Sequence, residues 1–169
     1  HGEAVGGAAN LVFLDPDELV ATAVATTGCS DFGGTTWRAH FEVLLHALES
    51  ESDLHLLGRM IARTEILQAL QNRLQLTRIW DRHPGLLEAG IEAPVFIVGS
   101  PRSGTSILHE LMASDPDNRT PKMWEMQRPL DAFEGRSDVA ESVDLVTQFW
   151  HDVQPEYETM HANSGFLPN

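Results

Sequence analysis

The 169-residue sequence is poor in cysteine and in positive charge, and each shortage excludes a class of protein. Its single cysteine, Cys29, excludes an intrachain disulfide framework and a zinc site built from several thiolates. A reducing compartment is therefore expected, and we predict a cytoplasmic location. Only 11 lysines and arginines oppose 25 aspartates and glutamates, which gives a net charge of −14. So acidic a surface repels nucleic acid, and no nucleic-acid partner is expected.

Long apolar runs and metal-binding histidine pairs are missing as well. No segment approaches the roughly 18 consecutive apolar residues that indicate a membrane span. The sequence also lacks a basic start followed by an apolar stretch, so no secretory signal is predicted. None of the eight histidines forms a His-x3-His pair or an HExxH motif, so no metal site is predicted. The sequence begins at His1 rather than at a methionine, and we expect it to be a processed chain or a piece of a longer one.

Apolar residues recur at helical spacing through the first half, which predicts a mostly helical region over residues 1–93. Asp15-Pro16-Asp17-Glu18 has the pattern of a helix start with a capping box, and this helix should end near Gly28. Two more helices are predicted, one from Trp37 to about Leu48 and one from Asp53 to about Trp80. The longer pattern fits one helix or a broken pair. The charged residues expected on its solvated face include Arg59, Arg63 and Glu65.

From Pro94 onward the pattern changes. Val95–Val98 is a continuous run of β-branched and aromatic residues, which predicts a short strand buried on both faces of a parallel sheet. A turn and a helix over Ser106–Met112 follow, and a final helix is predicted from Ser137 to about Val153. The stretch Lys122–Leu130 receives no assignment. Residues 94–169 therefore predict the start of an α/β core with a P-loop-like nucleotide-binding fold.

The segment Gly99–Ser106, between the predicted strand and helix, is a predicted anion-binding loop. Its two glycines, Gly99 and Gly104, allow the backbone to curl so that successive N–H groups point at one anion. Their spacing matches the nucleotide loop GxxxxGK[ST], but Thr105 stands in place of the lysine. No apolar run ending in aspartate follows to hold magnesium. A P-loop kinase or other NTPase stays an alternative, as does a non-enzymatic helical interaction module.

The sequence Pro101-Arg102-Ser103-Gly104-Thr105-Ser106 resembles the 5′-phosphosulfate loop of the sulfotransferases. Its arginine form is similar to tyrosylprotein sulfotransferases and to many bacterial members. The resemblance implies 3′-phosphoadenosine 5′-phosphosulfate (PAPS) as donor, a small-molecule hydroxyl or amine as acceptor, and no metal. It implies that Arg102 contacts the bridging oxygen and the sulfuryl group during transfer. The implied cofactor-binding residues are Ser100, Pro101, Arg102, Ser103, Gly104, Thr105 and Ser106.

The resemblance also implies a base for the acceptor. Glu125 follows Arg102 by 23 residues, at a position comparable to the base of the arginine-type enzymes, and is the favoured candidate. His161 is the second candidate, whereas His109, on the helix after the loop, is expected to be structural. The arginine and serine that bind the 3′-phosphate in this family have no counterpart before Asn169. We therefore expect that pair, and the remaining strands, outside this sequence. The acceptor and any homo-oligomer are left open.

Overall fold

The computed structural model describes residues 7–100 and 103–153, and the regular secondary structure over that range is helical. The chain divides into two compact units, residues 1–86 and 87–169. A short 3-10 turn, Ala8–Asn10, precedes the first α-helix. The α-helices of the described residues are α1 (Pro16–Thr27), α2 (Thr36–Ser50), α3 (Leu56–Arg82), α4 (Gly85–Glu88), α5 (Thr105–Ala113), α6 (Met123–Gln127), α7 (Pro129–Phe133) and α8 (Ala140–Val153).

Helix α1 begins and ends where its sequence predicts. The Asp15 side chain accepts a hydrogen bond from the Glu18 backbone N–H at 2.8 Å, and Pro16 occupies the first turn. Gly28 ends the helix in the left-handed conformation at φ 64°, a conformation that glycine adopts without steric cost. The predicted capping box is only half formed, however. The Glu18 carboxylate turns to Arg63 of α3, with hydrogen bonds of 2.6 and 2.7 Å.

The long apolar pattern forms one unbroken helix, α3, of 27 residues. Its Glu65 is exposed as predicted, but the expectation for Arg59 is wrong, because that side chain is 4% exposed. Arg59 donates from Nε to the Val12 carbonyl at 2.9 Å and pairs with Glu49. Arg63 is also partly buried, and its hydrogen bonds lower the pKa of Glu18 below the ordinary value. Both arginines tie α3 to chain segments more than ten residues away, which helical periodicity cannot reveal.

Unit 1 has a hydrophobic core where α1, α2 and α3 meet. An aromatic group closes one side of it: the ring of Trp37 lies 4.8 Å from that of Phe32 and 5.6 Å from that of Phe41. The Arg73 guanidinium lies 5.7 Å from the centre of the Trp37 ring, at cation–π distance. The buried members of the core are Leu14, Leu19, Ala23, Phe41, Leu45, Leu70 and Leu74.

Unit 2 differs from the prediction, because no β-strand is present in the described part of the chain. The expected buried strand is instead solvent-exposed, with Val95 64%, Phe96 82% and Val98 88% accessible. The physical reason is that a strand is stabilised by ladder hydrogen bonds to a neighbour, and residues 7–100 and 103–153 supply none. The predicted parallel sheet, and with it the α/β class, is therefore not confirmed.

The helices of unit 2 follow their local signals closely. Helix α5 covers the predicted Ser106–Met112 with one residue added at each end. The turn after it is held by Asp115, which accepts hydrogen bonds from the N–H groups of Asp117 and Asn118. The unassigned stretch forms two short helices, α6 and α7, of which α6 packs against both α7 and α8.

Arg59→Ala should destabilise unit 1 by about 2 kcal/mol, because it removes a charge-assisted hydrogen bond and leaves the Val12 carbonyl without that donor. Urea unfolding followed by circular dichroism measures the change. Glu65→Ala, an exposed position on the same helix, is the matched control and should stay within about 0.5 kcal/mol of the wild type. Equal small effects from both variants would show that the buried arginine does not hold the unit together.

Candidate functional site

The loop before α5 folds back tightly on Gly99. A Cβ atom placed on Gly99 would lie 2.6 Å from Ser103 Oγ and 2.9 Å from Thr105 Cγ2, closer than real contacts allow. The Ser103 N–H donates a hydrogen bond to the Ser100 carbonyl at 3.2 Å. A side chain at position 99 would therefore force the Ser103 and Thr105 side chains to shift, which favours glycine there.

The second glycine starts helix α5. Gly104 is its N-cap, in the left-handed conformation at φ 89° and ψ 16°, and its carbonyl accepts the N–H of Leu108 at 3.0 Å. No side chain caps this end of the helix among the described residues. Uncapped N–H groups at a helix start carry the positive end of the helix dipole and suit an anion.

The described part of the loop is open to solvent. Ser100, Ser103 and Gly104 are exposed, and Thr105 and Ser106 are half-buried at the start of α5. Two predicted site residues, Pro101 and Arg102, lie outside the described residues. The structure places Gly104 and the hydroxyl residues 103, 105 and 106 at the start of α5.

Glu125 occupies the third position of α6, in a well-defined set of contacts. Its Oε2 accepts a hydrogen bond of 2.7 Å from the backbone N–H of Lys122, the residue directly before the helix. Its Oε1 accepts Nη2 of Arg119 at 3.0 Å. The Glu125 side chain is 21% exposed, whereas that of Arg119 is 74% exposed. The favoured base is therefore partly shielded from water and held by two donors.

The other two base candidates differ in what the structure says of them. His109 is half-buried in the middle of α5, four residues after Thr105 at its start. His161 lies outside the described residues. No role of either histidine is tested by these positions.

Sequence reasoning missed two ionic contacts in unit 2. The first is Arg119 with Glu125, six residues apart and separated by Pro121. The second is centred on Asp131 of α7, which is 5% exposed, accepts Nε of Arg128 at 2.8 Å and pairs with Arg136. The Arg128–Asp131 pair has the i, i+3 spacing of a helix, whereas the Arg119–Glu125 and Asp131–Arg136 pairs do not, so periodicity gives no signal for those two. The short distance along the chain is the one sign that could have drawn attention to them.

Groups of three or more histidine, cysteine, aspartate or glutamate side chains placed to hold a metal ion do not occur in residues 7–100 and 103–153. Over the same residues, the helices are either too short or too polar to cross a membrane.

Comparisons with known proteins agree on one family. Residues 94–165 match the model of the sulfotransferase family. A solved structure, sulfotransferase STF1 from Mycobacterium tuberculosis H37Rv, is similar with a TM-score of 0.67 and 30% sequence identity. The likeness covers 82% of this chain and 40% of that one, so this chain spans about two fifths of that protein's length. Among curated proteins, no significant match to the sequence is found.

The family match begins at Pro94, directly before the run Val95–Val98 that leads into the loop, and includes α5 and Glu125. The structural likeness extends further and takes in most of both units. Together, these two findings show that the chain is similar to sulfotransferases.

Proposed function

We propose that this chain carries the donor-binding part of a sulfotransferase, which transfers a sulfuryl group from PAPS to a hydroxyl or amine. Arg102 stabilises the transferring group, and Glu125 accepts the proton of the acceptor. The 5′-phosphosulfate is bound by the loop residues Ser100, Pro101, Arg102, Ser103, Gly104, Thr105 and Ser106. The acceptor is a small molecule, and the reaction uses no metal.

One observation carries the proposal: the curled loop ends at an uncapped helix N-terminus. Gly99 leaves room for Ser103 and Thr105, Gly104 leads directly into α5, and no side chain among the described residues caps the first-turn N–H groups. In a chain of net charge −14, such a compact group of donors is the kind of place where a multiply charged anion can bind. The missing loop lysine and the sulfotransferase family favour PAPS over a nucleoside triphosphate.

The reaction needs three things from the protein. The acceptor oxygen or nitrogen forms a bond to sulfur while the bond from sulfur to the bridging oxygen of PAPS breaks. The negative charge that develops on this oxygen and on the sulfuryl group requires a fixed cation, the role proposed for Arg102. The acceptor proton passes to the Glu125 carboxylate, and adenosine 3′,5′-bisphosphate leaves. Holding donor and acceptor in line contributes the rest of the rate enhancement.

We also propose that Val95–Val98 is a strand of the parallel sheet typical of this loop type. The run is continuous and apolar, and the loop follows it directly, as in other strand–loop–helix phosphate sites. Its exposed side chains in this structure are the apolar surface that neighbouring strands would cover.

Arg102→Ala should lower kcat for sulfuryl transfer by about a hundredfold or more, because the developing charge loses its cation. The assay is transfer of radiolabelled sulfur from PAPS to p-nitrophenol, methyl glucoside and a tyrosine-containing peptide. Arg38→Ala in unit 1, which removes an arginine paired with Asp17 and Glu42, is the control and should leave kcat unchanged. Activity of Arg102→Ala within a few fold of the wild type would refute the role.

Gly99→Ala should weaken the binding of adenosine 3′,5′-bisphosphate about tenfold or more, since its Cβ collides with Ser103 and Thr105 and forces their side chains to shift. Isothermal titration calorimetry gives the affinity. Gly90→Ala is the matched control, because a Cβ there meets nothing within 4 Å, and its affinity should match the wild type. Equal affinity in both variants would mean that the close contact at Gly99 does not shape the ligand site.

A further inference from the structure

We propose that Arg119 is a positioning residue, which holds the Glu125 carboxylate in the orientation from which it accepts the acceptor proton. The inference rests on the proposed function, because it assigns a role toward the base of that reaction. Its starting point is the hydrogen bond of 3.0 Å between Arg119 Nη2 and Glu125 Oε1.

A single backbone donor does not fix a glutamate carboxylate. The Lys122 N–H binds Oε2 at 2.7 Å, but the terminal torsion of glutamate is broad, so the other oxygen could still swing about this contact. The Arg119 guanidinium binds that second oxygen and sets the plane of the carboxylate. Two donors from two different residues thus define one orientation.

The two contacts leave Glu125 able to work as a base. An ionised carboxylate has about four lone-pair positions, two on each oxygen. Lys122 and Arg119 occupy one on each, and the remaining positions can accept a proton. Removing Arg119 would free the carboxylate to rotate, and a base that is misplaced by about 1 Å loses much of its effect on the rate.

The exposure of the pair argues against a mainly stabilising role. The Arg119 side chain is 74% exposed, and ion pairs with so much solvent contact contribute about 0–1 kcal/mol to stability. Because the ion pair adds so little to folding stability, Arg119 is better explained by the orientation that it gives to the partly buried Glu125 carboxylate.

The segment that carries Arg119 is itself tied to the helix that begins in the loop. The Asn118 side-chain amide donates to the carbonyl of Met112, on α5, at 3.1 Å. Pro121 then restricts Thr120 to extended backbone, which limits where Arg119 can lie relative to α6. Contacts therefore run from α5 through Asn118 and Arg119 to Glu125, and they link the base to the helix of the phosphosulfate loop.

The test measures kcat and KM in the full-length protein with radiolabelled PAPS and the three probe acceptors named above. Arg119→Ala should lower kcat about tenfold with the KM for PAPS unchanged, because donor binding does not involve it. Arg119→Lys, which keeps a cationic donor, should recover part of that loss. Arg38→Ala again serves as the control for loss of an ion-paired arginine outside unit 2.

The decisive comparison places Arg119→Ala in the Glu125→Gln background. If Arg119 acts through Glu125, the second substitution should change kcat by less than twofold there, since the base is already lost. An equal tenfold loss in both backgrounds would show a general structural role and overturn the inference. So would wild-type kcat in Arg119→Ala.

Failure of the inference can be told from failure of the proposed function. If the wild type transfers sulfur and the Glu125→Gln variant keeps that activity, Glu125 is not the base. The role proposed for Arg119 then fails as well, while the sulfotransferase activity stands. No transfer by the wild type to any of the three probes, together with no binding of adenosine 3′,5′-bisphosphate, would overturn the function and the inference alike.

Discussion

The close approach of Ser103 and Thr105 to the Cα of Gly99 is the constraint on which the candidate site depends. These side chains leave no room for a Cβ at position 99, and Gly104 enters α5 without a side-chain cap on the first-turn N–H groups. Without this close contact, a bound anion would meet the first-turn N–H groups of α5 but not the backbone of the loop before them. From this loop onward, α5 fixes Met112, Asn118 and the segment that leads to Glu125.

The charge of the chain makes this local arrangement more important. With 25 acidic against 11 basic side chains, long-range attraction of an anionic donor is not available. Binding must come from short-range donors, namely backbone N–H groups, hydroxyl groups and arginines. The loop concentrates such groups in a few residues, while most arginines elsewhere are engaged with carboxylates. Arg38, Arg59 and Arg63 are examples in unit 1.

Features set by neighbouring residues could be predicted from the sequence. The cap at Asp15, the left-handed end at Gly28 and the start of α5 all depend on residues within one turn of each other. Features set by distant residues could not. Arg59 is buried because Val12, 47 residues away, supplies a carbonyl, and periodicity alone placed it on the solvated face.

The same distinction applies to the sheet and to the site. A strand requires a partner, so the apolar run Val95–Val98 indicates strand propensity without securing a strand in the described residues. The loop glycines were identified by their spacing, but the contact of Arg119 with Glu125 depends on the path of the non-helical segment between them. Arg102, the residue on which the chemistry of the proposal depends most, rests on its motif alone.

The measurement that tests the central claim most directly is thermal unfolding of the full-length protein with adenosine 3′,5′-bisphosphate, with ADP and magnesium, and with neither. A ligand at 100 times its Kd adds about 2.7 kcal/mol, a rise in Tm of several degrees for a protein of this size. The account predicts that rise with the 3′,5′-bisphosphate and none with ADP and magnesium. A rise with ADP and magnesium alone, or no rise with either, would contradict it.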